Sequence, residues 1–409
     1  MRSLLIVSLV FAVAYLLARP MFSARTAFLG FRVLFLSGTE LLLVGYLIGP
    51  RGMSLLPEAT LRFLQPLLEV AIGWAGLLIG LQFNRRMIKV YPLPRYALAF
   101  LQCLVTAMLV GAGCWLLFPL LWPLASELDR LRVAALVGAV SGVTSPSSIY
   151  YFARLLGLRG RLQRLLKFIA GVDAIPSILF IGVVSGFAHV SLSKSAVLSG
   201  AAWMWLLVAG GLGVVLGVVL SALVTLKHNR DELLLFIVGM VVFASGAAHF
   251  LHLSGVFVCF VAGVTTANLT HQRDEIHKVT SYGEQPIYLT FLILAGAWLV
   301  IWSRAALILG AALIVLRLGG KVLGNLPWRW FRLEPDVESP WLGLGLLSQG
   351  GIVVVLALDF LMVYKSSVLP LEAAEIFSAV VFSVLIDEVL SPLFLRWVVP
   401  TEREAKETA

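Results

Sequence analysis

The sequence predicts an all-α polytopic membrane protein of about 13 transmembrane helices. Two observations carry that prediction. The 409-residue chain is 60% hydrophobic and 13% charged, with a mean hydropathy of +0.97. Soluble domains carry about 25% charged residues, so this chain has too little polar surface to cover its core in water, and a bilayer removes the need for such a cover. Apolar runs of helix length also follow one another along the whole chain. The same composition excludes an ordinary soluble enzyme, a disordered chain, a collagen and a disulfide scaffold. Cys103, Cys114 and Cys259 lie inside apolar runs at spacings that suit neither a metal nor a disulfide framework, and read as small buried hydrophobes. The net charge of +9 does not point to nucleic acid, because the basic residues fall between the apolar runs.

A bilayer core of about 30 Å takes roughly 20 apolar residues per helix, fewer where a helix is short or broken. The runs that meet this are 3–18, 34–49, 63–83, 96–121, 132–155, 164–188, 197–225, 232–250, 253–269, 285–302, 305–325, 341–363 and 372–399. The first is read as a membrane helix and not as a cleaved leader: only Arg2 precedes it, and Ala18-Arg19-Pro20 offers no small-residue cleavage site. With these spans alternating in direction, eight of the 31 basic residues fall on the side of the N-terminus: Arg2, Arg51, Arg62, Arg130, Arg132, Lys194, Arg304 and Lys365. Twenty-one fall on the other side, among them Arg85, Arg86, Lys89, Arg154 and Arg159, and Arg317 and Lys321 lie within a span. Cytoplasmic loops are enriched in Lys and Arg, so the expected placement is a cell (inner or plasma) membrane with the N-terminus outside and a short cytoplasmic tail at 401–409. No Walker A motif, GxGxxG loop or HExxH sequence is present, so the expectation is neither an enzyme nor an ATP-driven pump, with no cofactor.

Ionisable residues at membrane depth cost several kcal/mol on insertion scales, so each calls for a reason. The candidates are Glu40, Glu69, Asp173, Arg317, Lys321, Asp359, Asp387 and Glu388. Glu40, Asp387 and Glu388 read as helix-end residues near an interface, while Glu69 and Asp359 stay open. Asp173 is placed most deeply, in Phe168-Ile169-Ala170-Gly171-Val172-Asp173-Ala174-Ile175-Pro176. Pro176 weakens the helix one turn earlier, and a carboxylate stripped of water can trade a proton for a cation; the bland alternative is a structural carboxylate tied to a lysine. Lys321, beside Gly319 and Gly320, either partners such a carboxylate or snorkels to the nearby surface. Two spans read as interrupted helices: Ser141-Gly142-Val143-Thr144-Ser145-Pro146 in the fifth, and Leu347-Ser348-Gln349-Gly350-Gly351 in the twelfth. Such breaks are tolerated only inside protein or around a wet cavity. A pair of them seven spans apart is what two inverted repeats give, and is a pointer to a substrate site.

These elements together resemble the monovalent cation:proton antiporter superfamily, which has the sodium/hydrogen exchanger fold, and within it the Kef-like antiporter-2 branch. Gly45 to Pro50 is similar to the ending of the family's second helix, and Leu78-Ile79-Gly80-Leu81-Gln82-Phe83 to its Gly-Leu-Glu element, with Gln82 where an acid is usual. Thr144-Ser145-Pro146 and Ser348-Gln349-Gly350-Gly351 resemble its two breaks, Gly320-Lys321 its basic eleventh helix, and Glu388 to Pro392 its last-helix signature. The resemblance covers nearly the whole chain. It implies a single transporter unit over 1–400 with two crossing broken helices. The core helices are expected at about 63–188 and 285–363, and the dimer or scaffold helices at about 1–50 and 197–269. It further implies elevator-type alternating access, a homodimer in the lipid bilayer, an exchanging role for Asp173 and a partner role for Lys321.

The function expected is exchange of one monovalent cation, Na⁺ or K⁺, for one proton. Electrogenic members carry two adjacent carboxylates on the sixth helix, whereas here Asp173 stands between Val172 and Ala174, which favours an electroneutral one-for-one exchange. Asp173 is the expected transient cation ligand, with Thr144, Ser145, Ser348 and Gln349 offering hard oxygens. Pro146, Gly350 and Gly351 break the helices, and Lys321 or Glu69 compensates their dipoles. The missing second carboxylate leaves open a non-transporting sensor or scaffold subunit of the same fold, and Lys321 with helix N-termini leaves open a transporter of another solute.

Overall fold

The computed structural model of the chain describes residues 38–85, 91–123, 125–155, 161–192, 202–226, 229–326, 341–365 and 370–398. The expected first span, 3–18, and the tail at 401–409 lie outside these. The helices are α1 (Glu40–Ile48), α2 (Glu58–Leu81), α3 (Leu93–Leu121), α4 (Glu127–Gly142), α5 (Pro146–Leu155), α6 (Arg161–Val172), α7 (Ala174–Leu192) and α8 (Ala202–Leu226). They continue as α9 (Arg230–Phe250), α10 (Gly255–Leu269), α11 (Arg273–Gly296), α12 (Arg304–Gly324), a 3₁₀ turn (Leu342–Leu346), α13 (Gly350–Lys365) and α14 (Pro370–Val398). Among the described residues, eight helical spans are long and apolar enough to cross a membrane, and Gly255–Leu269, Pro286–Gly296 and Gly350–Val363 are shorter apolar helices.

The remaining twelve expected spans each have a helical counterpart. The largest boundary error is the tenth: the helix starts at Arg273, not 285, because its first three turns are polar and Pro286 sits inside it without ending it. Hydropathy sees only the apolar half of such a helix.

The helices sort into two packed groups. In one, α3 packs on α4 and α12, α12 on α14, and α14 on α13 and the 3₁₀ turn. In the other, α2 and α8 pack on α10, α1 on α11, and α9 on α2. The expected allotment of 63–83 and 285–302 to the core does not follow this packing, because α2 and α11 lie with the helices expected to form the scaffold. Periodicity shows which face a helix buries and cannot show against which neighbour it buries that face.

Close packing in both groups relies on missing side chains. On α2, Gly76 and Gly80 lie against Val256, Phe260 and Gly263 of α10; a Cβ on Gly263 would come within 2.5 Å of the Leu77 carbonyl oxygen. In the same way Gly45 of α1 lies against the Ile293 and Gly296 backbone of α11, and Gly296 against the Leu42 backbone of α1. Apolar side chains gain nothing by leaving lipid, so backbone approach and van der Waals contact must hold such helices together.

Two of the open carboxylates are explained by this packing. Asp359 of α13 accepts from the Ser254 hydroxyl at 2.6 Å and from the Gly255 amide at 3.0 Å, capping the N-terminus of α10 from the other helix group. An anionic acceptor suits the orphan amides and positive dipole of a helix start. Glu69 of α2 accepts from Gln65 at 2.9 Å and pairs with His249 Nδ1 at 2.8 Å.

Gly263→Val is expected to lower the thermal unfolding midpoint of the detergent-solubilised protein, because overpacking costs about 1–3 kcal/mol. Gly239→Ala, on an exposed face where a Cβ meets nothing within 4 Å, is expected to leave the midpoint unchanged or raise it. Equal midpoints for Gly263→Val and the parent would contradict the packing account.

Candidate ion site at a helix crossover

The chain loses its helix where the sequence says it should. α4 ends at Gly142, Val143 is extended (φ −73°, ψ 143°), and α5 starts at Pro146, whose missing N–H is no loss in a first turn. In the other repeat the 3₁₀ turn ends at Leu346, and α13 starts at Gly350 with φ +57°, a conformation glycine adopts without strain. A Cβ on Gly350 would also lie 2.7 Å from Cβ of Ser145. The two breaks touch directly: the Ser145 amide donates to the Ser348 carbonyl at 2.9 Å, and the Thr144 hydroxyl donates to the Leu346 carbonyl at 3.1 Å.

The crossing brings two carbonyl ends and two amide ends of helices into one buried place, and charged side chains divide between them by sign. Arg317 and Lys321, one turn apart on α12 and fully buried, serve the carbonyl ends. Arg317 donates from Nε to Ser141 O at 2.9 Å and from Nη2 to Val143 O at 2.8 Å. Its Nη1 donates to Leu347 O and to Asp387 Oδ2, the latter at 3.0 Å. Lys321 Nζ donates to Gly142 O and to the Thr144 hydroxyl, both at 2.8 Å, and lies 3.5 Å from Asp173 Oδ2. The amide ends face Glu388 of α14: its Oε1 accepts from Ser148 at 2.9 Å and Ser348 at 3.0 Å, and the Gly350 amide bears on the same carboxylate.

Asp173 occupies the single non-helical residue between α6 and α7, and it is fully buried. Pro176 cannot donate to the carbonyl of Val172, which fits an interruption at that point. The Thr144 amide donates to Asp173 Oδ1 at 3.1 Å, so the carboxylate is tied to the first break on one oxygen and faces Lys321 with the other. Behind it, Ser177 Oγ and Cys103 Sγ lie 3.3 and 3.4 Å from the Asp173 carbonyl oxygen.

The expected residues thus divide. Asp173, Thr144 and Lys321 come together, and Lys321 does not snorkel. Ser145, Pro146, Gly350 and the Ser348 carbonyl form the crossing. The Ser348 side chain turns to Glu388, and Gln349 Oε1 accepts from Ser383 at 3.4 Å, so neither side chain bonds to Asp173. Gly351 lies against the Tyr288 ring. Glu69 is not at the crossing: its hydrogen bond goes to Gln65 and its ion pair to His249, and the dipole compensation expected of it comes from Glu388. Asp387 and Glu388, expected at a helix end near water, are 2% and 0% exposed in the middle of α14. Sequence reasoning missed these two and the clamp role of Arg317. The available signals were two adjacent acids well inside a long apolar run, and two bases at i, i+4 on another.

Five buried ionisable side chains surround the crossing: Asp173, Asp387 and Glu388 against Arg317 and Lys321. With all five charged, the set carries one surplus negative charge, which one proton or one monovalent cation offsets.

A family model described as sodium/hydrogen exchanger, transmembrane, matches residues 28–400. The search of curated proteins found no match. A solved structure of the sodium proton antiporter MjNhaP1 from Methanocaldococcus jannaschii at pH 8 is similar, with a TM-score of 0.60 and 14% identity, over 96% of this chain and 96% of that one. An electron-microscopy map of the same antiporter gives a TM-score of 0.58 at 16% identity, over 97% and 94%. At these identities the likeness speaks for the fold, and the fold, the crossing and the family match agree: the chain belongs to the transmembrane sodium/hydrogen exchanger family.

Proposed function

We propose that the chain is an electroneutral antiporter that exchanges one monovalent cation, Na⁺ or K⁺, for one proton, with Asp173 as the exchanging carboxylate. The observation that carries this reading is the buried triangle of Asp173, Thr144 and Lys321 beside two broken helices. A lone carboxylate cannot hold a proton and a cation together, so the two compete. Lys321 stands in for the cargo: its ammonium also has Gly142 O and Thr144 Oγ1 as acceptors, so it can release Asp173 without losing every partner. An arriving cation would find the Asp173 carboxylate and nearby oxygens, hard ligands of the kind alkali cations take. The single surplus negative charge of the buried set supports a one-for-one ratio.

Alternating access would come from rigid movement of the group containing α3–α6 and α12–α14 against the group containing α1, α2 and α8–α11. Both breaks, Asp173, Lys321 and Glu388 lie in the first group and would travel together. A homodimer joined through the second group, with a cytoplasmic C-terminus, completes the proposal; the asymmetry of basic residues supports that orientation.

Proteoliposomes loaded with a pH-sensitive dye test it. Asp173→Asn is expected to reduce cation-driven proton movement to the level of protein-free liposomes, and undiminished flux would refute the assignment. Competition fixes a second outcome: the apparent KM for the cation is expected to rise as pH falls, approaching about tenfold per pH unit at the acid end. An imposed membrane potential is expected to leave the exchange rate unchanged, since a one-for-one cycle moves no net charge.

A further inference from the structure

The crossing holds a second place with the chemistry of a cation site, and it is not the place where the exchanging carboxylate sits. Asp173 faces Lys321, and Asp387 faces Arg317. Glu388 is the carboxylate of the five-residue set without an ion pair of its own among the described residues; it has hydroxyls and helix N-termini instead. Its Oε1 accepts from Ser148 of one broken helix and Ser348 of the other. Its Oε2 is buried and has no hydrogen-bond partner among the described residues. One more buried oxygen nearby in sequence shares that condition: Ser391 Oγ, one turn along α14 from Glu388. A buried carboxylate oxygen left unpaired is costly, so this cluster favours an occupant that supplies positive charge. Two of the oxygens expected from the sequence to surround the cargo gather on this side: Ser348 bonds to Glu388, and Ser145 accepts from the Ser148 hydroxyl. Hydroxyls and a carboxylate are ligands for hard alkali cations.

We propose that Glu388, Ser148 and Ser348 form a second monovalent-cation position on the amide side of the crossing, distinct from Asp173. With a cation there, each of the three buried carboxylates has a positive partner, and the surplus charge of the set is gone. Arg317, Asp387 and Tyr288 also lie within electrostatic reach of Glu388. Arg317 is committed to Asp387 and to carbonyls, which leaves Glu388 open to a mobile cation. The proposal deepens the exchange reading and rests on it for the cargo, while the existence of the position can be tested without transport.

The experiment is equilibrium binding of radioactive sodium, and of rubidium as a stand-in for K⁺, to the purified full-length chain in detergent at alkaline pH. Glu388→Gln is expected to weaken binding by about tenfold or more, Glu388→Asp to keep most of it, and Asp173→Asn to retain measurable binding despite its lost flux. Glu388 also caps two helix starts, so binding is read on variants that retain a cooperative unfolding transition; Ser148→Ala with Ser348→Ala keeps the charge and removes the hydroxyls, and is expected to weaken binding in protein that stays folded. Parental affinity in both the Glu388→Gln and the double serine variant would overturn the position, as would complete loss of binding in Asp173→Asn. Cation binding that depends on Glu388 in a parent without proton-coupled flux would defeat the exchange reading and leave this one standing.

Discussion

Two helices that break where they cross leave four sets of unpaired peptide groups facing one another in a buried place. That electrostatic debt governs the rest of the molecule. Carbonyl ends need cations and amide ends need an anion, and the chain supplies them from helices that are themselves unbroken there: Arg317 and Lys321 from α12, Glu388 from α14. None of these side chains is tolerable in lipid alone. Each is stable because the break it serves is equally unstable without it. The broken helices and the charged helices are therefore one cooperative unit, and the expectation for such a network is that losing one member strands the others.

The same unit ties structure to function. Arg317 is bound by five groups, from both breaks and from α14, and behaves as a rivet. Lys321 shares its ammonium among a carbonyl, a hydroxyl and the Asp173 carboxylate, the last at the longest distance of the three. In the exchange proposed above, a rigid partner and an exchangeable one, a single turn apart on the same helix, would separate the work of holding the crossing together from the work of letting go of Asp173.

Much of this was legible in the sequence, for identifiable reasons. Apolar length fixed the spans because the bilayer imposes it. The Thr144-Ser145-Pro146 and Ser348-Gln349-Gly350 breaks were visible because proline and glycine act locally. Asp173 and Lys321 stood out as ionisable residues in apolar surroundings. What was not legible depends on which helices touch. Glu69 and Glu388 are both acids in apolar spans, and nothing local says that one meets His249 and the other meets two serines from opposite repeats. The neighbour of α2 was illegible for the same reason, since its glycines announce a close approach without naming α10.

The cap that Asp359 places on α10 carries a consequence for kinetics. It spans the seam between the two helix groups, so any stroke that slides α13 past α10 has to tear a carboxylate from a hydroxyl and backbone amides before the groups can part. Charged hydrogen bonds of this kind contribute about 1.5–3 kcal/mol each. If the two groups move as proposed, a catch of that strength, remote from the crossing, would bias how long the molecule dwells at one end of its travel and would leave the choice of passenger untouched.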